Sequence, residues 1–285
     1  MIIVRIWGGI GNQLFQYVFG QYLNYKYGQE VKYDDNAFFS VDRLRKRELN
    51  ALDMPIDYDN SCGFSKHKGV RNRLGKFLFL LNPKHHFLDW TSKLPESYNN
   101  DDLYFIQGYW QEYKYIEWLR NNEPSFKLRS SIFPVELAAL KEKIESDPNA
   151  VSVHVRRGDY FAPENVKLYG VCDAKYYEQA VKELCSRMIA PTIYVFSDDL
   201  DWVKENIHFD APVTYIPNYE ISQFAYIELM SFCKHHIISN SSFSWWGAVM
   251  NMKEDAIVIT PDRWRLDKVV DMALDSWIKI KTENK

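Results

Sequence analysis

The chain has 285 residues, 46% of them hydrophobic and 26% charged, with a formal net charge of -3. That is longer than one hydrophobic core usually serves and too apolar for a disordered chain, so two packed α/β-sized domains are expected. The mildly acidic balance excludes a globally basic surface for a nucleic-acid backbone, and an anionic ligand would need a local cationic site.

Residues 2–6 form an apolar run that reads as a buried strand, broken by Gly8, Gly9 and Gly11. Leu14, Phe15, Val18, Phe19, Tyr22 and Leu23 then recur at helical period, and Gly28 sits where a helix stops. Residues 31–33 make a second strand ending at Asp34 and Asp35. Residues 40–100 carry no clear period, and the basic clusters at 43–47 and 66–73 read as solvated faces. Residues 103–107 form a strand, and helices are expected from Tyr113 and over 134–145.

Beyond the turn at 146–149 the pattern becomes regular. Strands are expected at 151–155, 192–196, 213–216, 236–239 and 257–260. Helices are expected from an N-cap at Asp173 to Arg187, over 223–233 and over 242–250. Such alternation implies parallel, doubly wound sheets. The division into domains falls at 1–135 and 136–285, and the amphipathic segment 269–280 is expected to pack back across that boundary.

The four cysteines, Cys62, Cys172, Cys185 and Cys233, lie far apart with no CxxC pair and read as reduced thiols without a metal role. No apolar run approaches the ~20 residues of a membrane span, and the opening MIIVRIW lacks a basic leader. A soluble cytoplasmic protein is expected, with peripheral association to the inner face of a membrane left open.

Ligands of open α/β sheets bind beyond the carboxyl ends of the strands, so those ends carry the chemistry. HVRRGD at 154–159 puts Arg156 and Arg157 directly after a buried strand. Arginine there suits a phosphate, because its planar fork donates two parallel hydrogen bonds. A structural Arg–Asp turn is the alternative. SNSSFSWWGA at 239–248 runs from a strand through hydroxyls into a helix, and a helix start offers free N–H groups to an anion. Ser241 or Ser242 as a simple cap is the alternative, while Trp245 and Trp246 read as core. FSDD at 196–199 places Asp198 where a carboxylate can accept from guanine, or cap a helix. GGIGNQ at 8–13 is a glycine loop whose polar tail, Asn12 and Gln13, suggests a helix start facing a polar ligand.

Together with GYWQ at 108–111, these motifs occur in the order in which they stand in the α-1,2-fucosyltransferases of glycosyltransferase family eleven, which this sequence resembles over residues 8–248. The resemblance implies a GT-B fold, two Rossmann-like domains facing across a cleft. It implies inverting, metal-independent transfer of L-fucose from GDP-β-L-fucose to the 2-hydroxyl of a terminal galactoside. No cofactor is implied, and GDP-fucose and a galactose-terminated glycan are the partners. Animal relatives carry a membrane anchor, so this chain looks like the bacterial, soluble form.

Carried over by motif, Arg156 matches the arginine that contacts the β-phosphate, with His154 and Arg157 beside it. Gly11, Asn12, Gln13, Asp198, Ser241, Ser242 and Phe243 line the donor site, and Tyr109, Trp110 and Gln111 fall on the acceptor side. Asp159 and His154 are the candidate bases. Asp159 can instead hold an arginine, His154 can be a core hydrogen-bonder, and the departing GDP can itself take the proton. Two other classes are kept: a metal-dependent GT-A-like enzyme using the D-x-D of Asp199 and Asp201, and a non-catalytic carbohydrate-binding protein.

Overall fold

The computed structural model describes residues 1–40, 45–54 and 56–282, with the side chains of Phe39, Ser40 and Glu164 left aside. Arg43, part of one basic cluster, lies outside the described residues. The chain divides into two compact units, Met1–Ser131 and Ile132–Lys285.

The first unit opens with β1 (Ile2–Arg5), α1 (Ile10–Tyr27) and β2 (Val31–Asp34), followed by the short α2 (Ala37–Ser40). Four parallel strands form its sheet, in the order β2-β1-β4-β3. The apolar stripe of α1 is buried as its spacing implies, and Gln13, Gln16 and Tyr17 are buried with it, so this helix is enclosed on most sides. It ends at Gly28 in a left-handed conformation, φ 63°.

Residues 40–100, unreadable by period, contain α3 (Gly69–Leu80) and the edge strand β3 (His85–Asp89). β3 pairs with β4 (Leu103–Gln107), and α4 (Tyr113–Asn122) follows. Neither α3 nor β3 has a fully buried residue, which removes the periodic contrast that marks an element in sequence. Phe64, Phe79, Phe87 and Phe105 cluster beneath α3 instead.

The second unit runs α5 (Val135–Glu145), β5 (Ala150–Val155), α6 (Pro163–Tyr169), α7 (Ala174–Arg187), β6 (Thr192–Ser197), α8 (Leu200–Asn206) and β7 (Val213–Tyr215). Then come α9 (Gln223–Phe232), β8 (His235–Ile237), α10 (Ser242–Val249), β9 (Val258–Pro261) and β10 (Ile278–Ile280). All six strands are parallel, in the order β10-β9-β8-β5-β6-β7. The expected Asp173 cap of α7 is present, its carboxylate accepting from Tyr176 N at 2.9 Å. Trp245 and Trp246 are core residues, 1% and 0% exposed.

The segment at 269–280 is corrected. Its end adds β10 to the edge of its own unit's sheet, beside β9, where strand pairing outweighs the amphipathic period read from sequence. Among the described residues, no helix is long and apolar enough to cross a membrane.

Candidate active site

The strand order of the second unit places the chemistry. From β5 the chain steps outward through β6 and β7, then returns to lay β8 on the other side of β5. The sheet therefore switches direction between β5 and β8, and the loops leaving these two strands diverge there. They are the HVRRGD and SNSSFSWW segments.

Both terminal nitrogens of Arg156 are held by carboxylates. Nη1 lies 2.8 Å from Asp198 Oδ2, and Nη2 donates to Asp159 Oδ1. Asp198 Oδ1 also accepts from Arg157 N at 2.9 Å. A Cβ at Gly158 would stand 2.5 Å from Asp198 Oδ2, so glycine is what lets this carboxylate close on the loop. The side chain of Arg156 stays 23% exposed, oriented by its two aspartates yet open to a ligand.

The other sequence candidates divide. Arg157 is engaged within the chain: its Nε donates to Asp199 at 3.1 Å, and its guanidinium lies 3.5 Å above the Trp202 ring and 4.3 Å from that of Phe161. The Asp199 pair and the two rings hold this guanidinium against the loop. Asp198 has both oxygens engaged with the arginine loop, which leaves no support for a guanine contact. Asp159 is a partner of Arg156.

His154 is 5% exposed, its Nδ1 3.0 Å from Ser239 Oγ and its ring 5.2 Å from that of Phe243. Burial first, and then the Arg156 charge, lower its pKa to about 3. A neutral imidazole with so acidic a conjugate acid is a poor proton acceptor, and His154 sits as a buried hydrogen-bonder to Ser239.

At α10 the two serines separate. Ser241 is the N-cap, its Oγ accepting from Phe243 N at 3.3 Å. Ser242, half-buried in the first turn, makes no side-chain hydrogen bond among the described residues. Asn240, which sequence reasoning passed over, braces the loop. Its Nδ2 donates to Tyr169 O at 2.8 Å, and its carbonyl accepts from Tyr160 OH at 3.0 Å. Its place inside the serine motif was the signal.

The D-x-D reading fails on geometry. Asp199 caps α8 by accepting from Trp202 N and pairs with Arg157, whereas Asp201 is turned to solvent beside Lys204. Two parallel Rossmann-like sheets also overturn the GT-A fold that this reading requires.

In the first unit the switch lies between β1 and β4, where the GGIGNQ and GYWQ loops leave the sheet. Gly8 has φ +85°, and a Cβ there would meet Asn12 Nδ2 at 3.1 Å. Gln111 Nε2 donates to Asn12 Oδ1 at 2.8 Å, and Trp7 Nε1 donates to Tyr109 OH at 3.0 Å. Asn12, Tyr109 and Gln111 are half-buried and share this edge. Gly11 is buried within the first turn of α1.

Two neighbouring side chains are turned inward. Gln13 is 0% exposed, and its amide is consumed by Gly8 O, Lys46 O and Glu48 N, so it straps the loop instead of facing a ligand. Trp110 is 8% exposed and stacks on Phe19 at 4.3 Å, which makes it core.

Sequence reasoning also missed a buried polar group at the ends of β1 and β2. Arg5 Nη1 donates to Gln107 Oε1 at 2.6 Å and Nη2 to Ser65 O at 3.0 Å. Asp34, 0% exposed, accepts from Asn36 and Ser65. Burial raises the Asp34 pKa to about 6, against the opposing pull of Ser65, Asn36 and Arg5.

Comparison with known proteins bears on the family and the fold. The chain is 32% identical to the O-antigen biosynthesis glycosyltransferase WbnK of Escherichia coli, across 96% of this chain and 98% of that one. It is 31% identical to an alpha-1,2-colitosyltransferase of Escherichia coli, across 99% of each. Among solved structures, the fucosyltransferase NodZ from Bradyrhizobium superposes with a TM-score of 0.52 at 13% identity, covering 87% of this chain and 92% of that one. Likeness at that identity speaks to the fold, which is the two-sheet α/β pattern of GT-B enzymes. The family described as glycosyl transferase family 11 matches residues 82–281, and with both full-length relatives above 30% identity the chain belongs to that family.

Proposed function

We propose that the chain transfers L-fucose from GDP-β-L-fucose to the 2-hydroxyl of a terminal galactoside, with inversion and without a metal ion. The observation that carries this reading is Arg156, held between Asp159 and Asp198 at the β5–β8 switch point. A guanidinium fixed there meets a diphosphate with its geometry already set. Charge grows on the pyrophosphate as the glycosidic bond breaks, and a preorganised cation stabilises that charge most strongly in the transition state. Ser242 and the start of α10 supply further donors.

The second unit is thus the nucleotide-sugar side, and the edge formed by Asn12, Tyr109 and Gln111 is the sugar-facing part of the first. For the proton of the attacking hydroxyl, the departing GDP is the acceptor we favour. Asp159 is committed to Arg156, and His154 is too weak a base.

A second donor is favoured by one observation, the full-length relative named for colitose. Colitose is L-fucose without its 3-hydroxyl, so the two donors differ by one hydrogen-bonding group. A site built to bind that hydroxyl would reject the deoxy sugar strongly, whereas an apolar site would not. The test is a donor panel with a terminal β-galactoside acceptor, read by product NMR, run with and without chelator. Transfer from GDP-fucose at the 2-position in chelator supports the proposal. Turnover only with GDP-colitose moves the donor, and loss in chelator restored by manganese overturns the metal-free claim.

A further inference from the structure

The helix α3 presents its apolar side outward. Val70, Leu74, Phe77, Leu78 and Leu81 are 79%, 56%, 61%, 56% and 62% exposed. At about 100° per residue they fall within one third of the helix circumference. The opposite side is anchored. Asn72 donates to Phe64 O, Gly75 backs onto the Phe64 side chain, and Phe79 stacks on His85. The orientation is therefore fixed by packing.

The charges around the stripe have one sign. Residues 66–84 contain Lys66, Lys68, Arg71, Arg73, Lys76 and Lys84 and no carboxylate, in a chain whose net charge is -3. On the helix, Arg71 and Arg73 flank the stripe on its two sides, both exposed. The cluster expected from sequence to be a solvated face is thus the polar border of an apolar strip. Trp90, 67% exposed, directly follows β3, the strand packed beside the helix, and tryptophan favours the boundary between lipid and water.

The geometry points to α3 as a surface that docks on an anionic lipid bilayer. An amphipathic helix lying in the interface buries its apolar side at the acyl boundary, while its arginines meet lipid phosphates. A nucleic acid would answer the charge but not the bare Leu and Phe side chains between the arginines.

The test is sedimentation of the full chain with two vesicle compositions, pure phosphatidylcholine and a mixture with one third phosphatidylglycerol. The expected result is binding to the anionic vesicles at least tenfold tighter than to the neutral ones, weakened by salt. The double variant Leu74→Glu/Phe77→Glu should lose at least tenfold in affinity for the anionic vesicles. Arg71→Glu/Arg73→Glu should remove the preference for anionic lipid. Both pairs are solvent-facing, so thermal unfolding and turnover on a soluble acceptor should stay at wild-type values. Equal binding to both vesicles, or none to either, would overturn the proposal. So would a concentration-dependent dimer, seen by light scattering, that the Leu74/Phe77 variant abolishes while lipid binding is unchanged. Apart from the turnover control, none of these readouts needs a donor sugar, so their failure is separable from that of the proposed reaction.

Discussion

Arg156 Nη1 lies 2.8 Å from Asp198 Oδ2, joining the ends of the neighbouring strands β5 and β6. Asp159 takes the other terminal nitrogen, so the guanidinium plane is fixed at both corners before any ligand arrives. Lysine in its place would keep the charge but lose the fork and one of its two supports. Arg156→Lys should lower kcat about a hundred- to a thousandfold, or about 3–4 kcal/mol of transition-state stabilisation. Affinity for GDP should fall less. Steady-state kinetics beside GDP calorimetry checks this, and near-wild-type turnover would remove Arg156 from the phosphate site.

Asp159 was a candidate base in the sequence, and its pairing with Arg156 gives it a different task. Asp159→Asn should reduce GDP affinity and turnover together, because one defect, a loosened Arg156, underlies both. The pH dependence of kcat should keep its shape. A variant that binds GDP within a few-fold of wild type, yet transfers no sugar, would return Asp159 to the role of base.

The serines at the start of α10 should fail in different ways. Ser241→Ala removes the cap and should cost about 1 kcal/mol of stability. Ser242→Ala removes a hydroxyl with no hydrogen-bond partner among the described residues, so stability should hold. Affinity for GDP should instead drop by about 1–2 kcal/mol. Thermal melts and calorimetry on both variants test the pair, and an unchanged GDP affinity in Ser242→Ala would rule out the contact.

The sequence made the parallel strands and the motif loops readable because both leave local marks. A buried parallel strand is a short apolar run, and a ligand loop breaks it with glycine, arginine or serine. Long-range pairing leaves none. Nothing near Gln13 announces that residues 46 and 48 will consume its amide, so it looked ligand-facing. Arg157 and Arg156 are adjacent and identical in type, and it takes Asp199 and Trp202, distant in the chain, to turn one into a pin. Arg5 and Asp34 escaped for the same reason, since their shared neighbour Ser65 comes from a segment without period.

The last prediction concerns acid stability. His154 and His236 are buried neutral, each with its pKa lowered to about 3 from 6.5, chiefly by burial. The unfolded chain takes up protons below pH 6.5 that the folded chain refuses. Their contribution is therefore fully present above pH 6.5 and is lost as pH falls toward 3. Asp34 acts in the opposite sense. Its pKa is raised to about 6 from 3.8, so the folded state holds a proton that the unfolded state lacks between those values. Between pH 7.5 and 5 the two imidazoles should together give up about 4 kcal/mol, and Asp34 should return about a third of it. His236 is the cleaner probe, since its Nδ1 meets the Ser152 hydroxyl at 2.7 Å and its pKa is lowered by burial and His235, without the Arg156 charge that acts on His154. His236→Asn keeps a hydrogen-bonding group there without a titrating ring. It should be less stable than wild type at pH 7.5, yet lose about 2 kcal/mol less on acidification to pH 5. Denaturant unfolding at the two pH values measures this, and a variant with the full wild-type pH dependence would show that His236 is not the group refusing the proton.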